Sequence, residues 1–96
     1  MTPIRDNQDP GKLEVTLQRL VAAVPSSPEA WYDLAGVKAA LGKPTEAISS
    51  LQTALQLSQQ RLVIQPTSKD LRTEAVNDLR FIKLRQDVQF QKLTKP

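Results

Sequence analysis

A chain of 96 residues has room for one small domain with a thin core, and 40% hydrophobic against 24% charged residues is the balance of a globular fold. Cysteine and histidine are both absent, which excludes a disulfide framework, thiol chemistry and the commonest acid–base and metal-ligating side chain. Only Trp31, Tyr32, Phe81 and Phe90 are aromatic, so the core must be built from Leu, Val, Ile and Ala, which favours helices over a β-sandwich.

The net charge of +3 is unevenly placed. Residues 1–60 carry five basic and six acidic groups, whereas residues 61–96 carry eight and four, a surplus of +4 in the C-terminal third. Residues 1–9 are polar and read as a disordered lead; Met1-Thr2-Pro3-Ile4-Arg5-Asp6 lacks the apolar run of a signal peptide. No stretch approaches the roughly 18 apolar residues of a membrane span, so no membrane insertion is expected. The compartment is cytoplasmic by default, and exported or membrane-tethered if the chain is a fragment.

Asp9-Pro10 is a helix start, a capping carboxylate followed by proline where its missing N–H costs nothing. Leu13, Leu17, Leu20, Val21 and Val24 then share one face, and Pro25 ends a first helix over about 10–24. Ser27-Pro28-Glu29 opens a second helix over about 28–41, marked by Trp31, Leu34, Ala35, Lys38 and Leu41. Gly42 is placed to end it in a left-handed conformation.

Pro44-Thr45-Glu46 opens a third helix, and Ala47, Ile48, Leu51, Ala54, Leu55, Ser58 and Leu62 carry its pattern to Ile64, short of Pro66. Ser68 is the expected cap of a fourth helix holding Leu71, Ala75 and Val76. Asp78-Leu79-Arg80-Phe81-Ile82-Lys83-Leu84 is then echoed by Asp87-Val88-Gln89-Phe90-Gln91-Lys92-Leu93. Each unit offers an aspartate able to cap and a Phe–Leu pair one turn apart, which predicts two short helical turns plugging an apolar surface. One continuous helix over 69–93 satisfies the same periodicity.

Trp31, Leu34, Ala35, Gly42, Ala47, Leu51 and Ala54 follow the spacing of a tetratricopeptide repeat, and the chain resembles that family over about residues 13–58. Lys38 stands where the family has tyrosine, Ala35 where it has glycine, and Gln59 where it has its closing proline. The resemblance implies an all-α fold of antiparallel helix pairs, a right-handed solenoid fragment with a half repeat over 10–27, a full repeat over 28–61 and a C-terminal helical cap over 62–96. In that frame Trp31 and Leu34 face the third helix, while Ala35 and Ala47 let the two axes approach. The closing segment is similar to the atypical ends of bacterial tetratricopeptide proteins. One repeat with flanking halves implies either the end of a longer array or a stack completed by self-association through Leu13, Leu17 and Leu20.

The same resemblance places Glu29, Tyr32, Asp33, Gly36, Ala39 and Ala40 on the groove where such arrays bind a protein or peptide. Members that grip acidic chaperone tails carry Lys and Asn at the positions of Tyr32 and Gly36, so that ligand does not transfer. Trp31 is assigned to the core, and Phe81 and Phe90 to the end of the stack. No phosphate loop, nucleophile–base set or metal cluster stands out, and Asp70 with Glu74 is a bare carboxylate pair beside Arg72. The expectation is a non-catalytic protein-interaction module without cofactors, with a purely structural end cap or self-association segment as the alternative. Nucleic-acid binding through Arg80, Lys83, Arg85, Lys92 and Lys95 ranks lower, since Asp78 and Asp87 interrupt that basic set and no stacking aromatics are interleaved.

Overall fold

The computed structural model describes residues 9–95, and among them the chain is all-helical. Of the polar lead expected over residues 1–9, only Asp9 lies within the described residues. The order is α1 (Pro10–Ala23), α2 (Pro28–Ala40), α3 (Pro44–Ile64), α4 (Leu71–Asn77), a 3₁₀ helix (Leu79–Leu84) and α5 (Val88–Thr94).

Local chemistry sets these boundaries. The Asp9 carboxylate accepts from Gly11 N–H at 2.9 Å, and the Ser27 hydroxyl accepts from Ala30 N–H at 3.2 Å; proline follows each cap. Gly42 has φ of 74°, and around it Lys43 N–H donates to Lys38 C=O while Gly42 N–H donates to Ala39 C=O. That paired closure terminates α2 and turns the chain straight into α3.

Helix α2 is buried on nearly every side, and two apolar clusters meet on it. Ala30, Leu34 and Val37 pack with Leu17 and Val21 of α1, with Leu13 and Leu41 at the margin. Tyr32 and Ala35 pack with Ala47, Leu51, Ala54 and Leu55 of α3, and this cluster continues into Leu71, Ala75, Phe81, Leu84 and Phe90. Leu34 therefore belongs to the α1 contact, not to the α3 contact expected for it, because the helical turn carries it one face round from Ala35. Trp31 is only half-buried, and its indole N–H donates to Pro25 C=O at 2.9 Å. It touches both clusters as a bridge and is not enclosed by either.

A charged network crosses this apolar centre. Lys38, 4% exposed, donates to Glu14 of α1 at 2.9 Å and to Glu46 of α3 at 2.8 Å, and Lys43 reaches Glu14 at 2.9 Å. One ammonium thus ties three helices. Hydrogen bonds from Lys43 and Lys38 outweigh burial and hold Glu14 below the ordinary carboxyl value, and Lys38 does the same to Glu46. Burial works against the charge on Lys38, but its bonds to Glu46 and Glu14 prevail and raise its pKa.

Beyond α3 the chain folds back as a cap. Ser68 is not the start of α4: its hydroxyl donates to Gln65, and the Asp70 carboxylate accepts from Arg72 N–H instead. Leu71 N–H donates to the buried Ser58 hydroxyl at 3.2 Å, which fastens the first turn of α4 to α3. Asp78 and Asp87 then each accept the N–H two residues on, at 2.9 and 2.8 Å. A side chain that captures its own backbone competes with helix continuation, and this breaks what would have been one helix over 69–93 into three short pieces. Phe81 packs edge-on to Tyr32 at 5.6 Å and lies 5.9 Å from Phe90, so the two echoed units do plug one apolar surface.

The cap is therefore structural core. Phe81→Ala should lower unfolding free energy by about 3–5 kcal/mol through the cavity it leaves, whereas Val63→Ala, at a site 82% exposed, should change it by less than about 0.5 kcal/mol; urea titrations followed by circular dichroism distinguish them. The ion network gives a second expectation. Glu14 and Glu46 have folded values below 4.5, so what they contribute is present above pH 4.5 and is lost as pH falls through the folded values. Lys38 contributes below pH 10.5 and loses it as pH rises through its raised value. Glu14→Gln should lower stability at neutral pH and flatten the acid limb; an acid limb identical to that of the parent chain would refute the network's part in it.

Candidate partner groove on the second helix

The face of α2 not taken by α1 or α3 points toward the cap. On it Glu29 and Asp33 are exposed, Ala39 is half-buried, and Tyr32 and Gly36 are buried. The 3₁₀ helix lies across this face and delivers Arg80. A side chain at residue 36 would begin 2.5 Å from the Arg80 guanidinium, so glycine is what lets that group lie flat on the helix.

Arg80 is held from below by Asp78, with Nη2 at 2.8 Å from Oδ2 and Nε at 3.2 Å from both oxygens. Its guanidinium sits 5.5 Å from the Tyr32 ring centre and 6.0 Å from that of Phe81, within cation–π range, and Nη1 lies 3.7 Å from Asp33. Tyr32 completes the set by donating its hydroxyl to Asp78 at 2.9 Å. The phenol joins residues 46 apart in sequence.

Burial, then the bond to Asp78 and its charge, push the Tyr32 hydroxyl well above the ordinary tyrosine range. Burial opposes ionisation of Asp78, but bonds from the Arg80 side chain, the Arg80 backbone and Tyr32 outweigh it and hold the carboxyl low. Arg80 is raised in turn, chiefly by its hydrogen bond to Asp78.

Between this clamp and α4 a cleft of about 270 Å³ opens, with Leu71 at its base. Glu29, Asp33, Glu74 and Asp78 line it against only two cations, Lys69 and Arg80. At its outer end Glu29 takes two bonds from Arg61, at 2.9 and 2.6 Å, and these hold its carboxyl below the ordinary value. Lys69 pairs with Glu74 at 3.0 Å, whereas Asp70 is occupied in capping α4, so Asp70 and Glu74 do not act as a carboxylate pair. The carboxylates do not converge into a metal-binding cluster among the described residues.

Of the groove residues expected from sequence, the structure brings Glu29, Tyr32 and Asp33 into one cleft. Gly36 lies beneath Arg80, and Ala39 lines a separate apolar notch of about 210 Å³ beside Gly42, Pro44, Lys83 and Leu84. Ala40 is exposed outside both. Within the described residues, then, the α2 face is divided by the 3₁₀ helix and is not one continuous channel. Of the repeat-defining positions, Leu34, Ala35, Ala47, Leu51 and Ala54 are buried and Trp31 is not.

Lys69, Leu71, Glu74, Asp78 and Arg80 are the lining residues that local sequence pattern did not single out for the groove. Asp78 was readable as a cap, but nothing in its neighbourhood signals that it also receives a hydroxyl from α2. The face expected to self-associate is largely consumed internally: Leu17 is buried and Leu13 packs beside it against α2, which leaves Leu20, 43% exposed, as the open member. No described helix is long and apolar enough to cross a membrane. No family model matches the chain, and neither the curated proteins nor the solved structures compared with it contain a match.

Tyr32 is the sole tyrosine, so tyrosinate absorbance reports this clamp alone. A folded value above 10.0 means the native state holds the proton more tightly; the resulting stability is present below pH 10.0 and is lost as pH rises above it. Tyr32 should therefore ionise only together with alkaline unfolding, and Asp78→Asn, which removes the hydrogen bond and the charge but leaves the burial, should lower its titration in part. A midpoint near the ordinary value in the unaltered chain would show the clamp is not formed.

Proposed function

We propose that the chain is a non-catalytic protein-binding module of the tetratricopeptide type, and that the cleft between α2 and α4 receives a basic side chain from a partner peptide. The observation that carries this reading is the convergence of Glu29, Tyr32 and Asp33 with Glu74 and Asp78 around one cleft with an excess of carboxylates. A lysine or arginine entering there meets four carboxylates balanced by three cations, Arg61, Lys69 and Arg80, and the Tyr32–Arg80–Asp78 clamp gives it a rigid wall. The pairing of α2 with α3 around small Ala35, Ala47 and Ala54 supports the family reading, as does the closing turn at Gly42. The absence of histidine and cysteine from the sequence favours binding over catalysis.

A structural role, as an end cap or self-association segment, is the second reading. It draws on the apolar residues left open on α1 and at its C-cap, Val15, Leu20 and Val24, and on Val63 and Ile64 at the end of α3.

Reversing charge at two exposed positions separates the two. Glu29→Lys with Asp33→Lys should abolish capture of a partner from source-cell extract and weaken binding of a short arginine-containing peptide by about tenfold or more, with helicity and oligomeric state unchanged. Capture and peptide binding that survive the double substitution would remove the groove reading and leave the structural one.

A further inference from the structure

On the other side of α3 from the α2 groove lies a larger cleft, of about 660 Å³, between α3 and α5. Its α3 wall is a row of amides: Gln52, Gln56 and Gln60 recur every four residues, with Gln59 beside them. Its other wall carries Arg72, Lys92 and Lys95, and no carboxylate lines it. Leu55 and Leu93 form an apolar floor. Part of the surplus positive charge of the C-terminal third is thus gathered on one side of a single cleft.

We propose that this cleft binds an extended, acidic peptide segment. The spacing is the first reason. Four residues of helix advance roughly 6 Å, close to the roughly 6.6 Å over which an extended chain repeats the direction of its carbonyl and amide groups. A glutamine side chain offers both a donor and an acceptor, so a row at this interval matches the main chain of a strand, whatever its side chains. The second reason is charge. Arg72 is anchored by donating to Lys95 C=O at 3.0 Å, while the Lys92 and Lys95 ammonium groups have no partner among the described residues. Three cations facing four neutral amides select for carboxylates along one edge of the bound segment.

The third reason is an unmet donor. The Gln59 amide nitrogen is shut away from solvent and donates to nothing among the described residues. A buried donor left in that state is costly, and an acceptor drawn in with the peptide relieves the cost once the amide turns toward it. Nucleic acid is the less suitable polyanion here, because no aromatic ring lines the cleft to stack a base. The site does not depend on the α2 groove, whose excess charge is of the opposite sign.

Fluorescence anisotropy with the full chain and a dye-labelled peptide of alternating glutamate and serine tests this directly. A lysine–serine peptide and an oligothymidylate of similar length serve as comparators. Saturable binding of the acidic peptide is expected, weakening with salt, and absent for the lysine peptide. Lys92→Glu with Lys95→Glu should weaken it by about tenfold or more, and Gln56→Ala with Gln60→Ala by about threefold or more. All four positions are exposed and alanine favours the helix, so circular dichroism should be unchanged. Glu29→Lys with Asp33→Lys should leave this binding intact while removing the α2 function. The proposal is overturned by absent or unsaturable binding, by tighter binding of the oligothymidylate, or by indifference to either the lysine or the glutamine substitutions.

Discussion

Eight of the 13 residues of α2 are buried, and they are distributed around the helix with no confinement to one stripe. A helix of that kind has no face to give to water and must be enclosed from several directions. The rest of the molecule answers this demand in turn. Helix α1 covers Ala30, Leu34 and Val37, α3 covers Ala35, and the C-terminal cap covers Tyr32 and Gly36. The two helices that flank α2 in the chain, α1 and α3, are too few to close it alone, and a short, heavily capped segment returns from far along the sequence to complete the enclosure. Lys38 is the exception inside this enclosure, and it is tolerated because Glu14 and Glu46 reach it from two different helices.

The same return creates the candidate groove. Arg80 and Asp78 arrive with the 3₁₀ helix, and the carboxylates of α2 and α4 become neighbours because Leu71, Ala75 and Phe81 dock the returning segment on the core. Structure and recognition are thus not separable here: the residues that plug the apolar surface also place the charges of the cleft. On the opposite side of α3, α5 is held through Phe90 and so sets the width of the glutamine-lined cleft.

How much of this was legible in the sequence follows from the range of the interactions concerned. Proline beside Asp9 and Ser27, glycine at residue 42 and proline at residue 44 act within one turn, and they located α1, α2 and α3 to within a residue or two. The repeated aspartates likewise announced two short capped turns. Contacts across the fold left no local trace. The Lys38–Glu14 bond spans 24 residues and Tyr32–Asp78 spans 46, and neither partner sits in a pattern that distinguishes it from an ordinary surface charge or cap. Trp31 misled for a related reason: its spacing matched a core position, but the Pro25 carbonyl draws the indole to the edge of the packing. Of the groove, the α2 half was readable and the half supplied by the cap was not.

The distance along the chain between Tyr32 and Asp78 also carries an entropic cost. Helices α1, α2 and α3 meet across turns of a few residues, so their pairing closes short loops and is entropically cheap. The cap closes a much longer loop, and it does so with a seven-residue helix, a 3₁₀ helix of weaker hydrogen-bond geometry and another seven-residue helix, none of which is stable by itself. Contacts among α1, α2 and α3 are therefore the cheapest in chain entropy, and those of the cap the most expensive. Those expensive contacts are also the ones that cover Tyr32 and Gly36. The α2 surface that the cap keeps covered is thus held by the contacts that cost the chain most entropy to close.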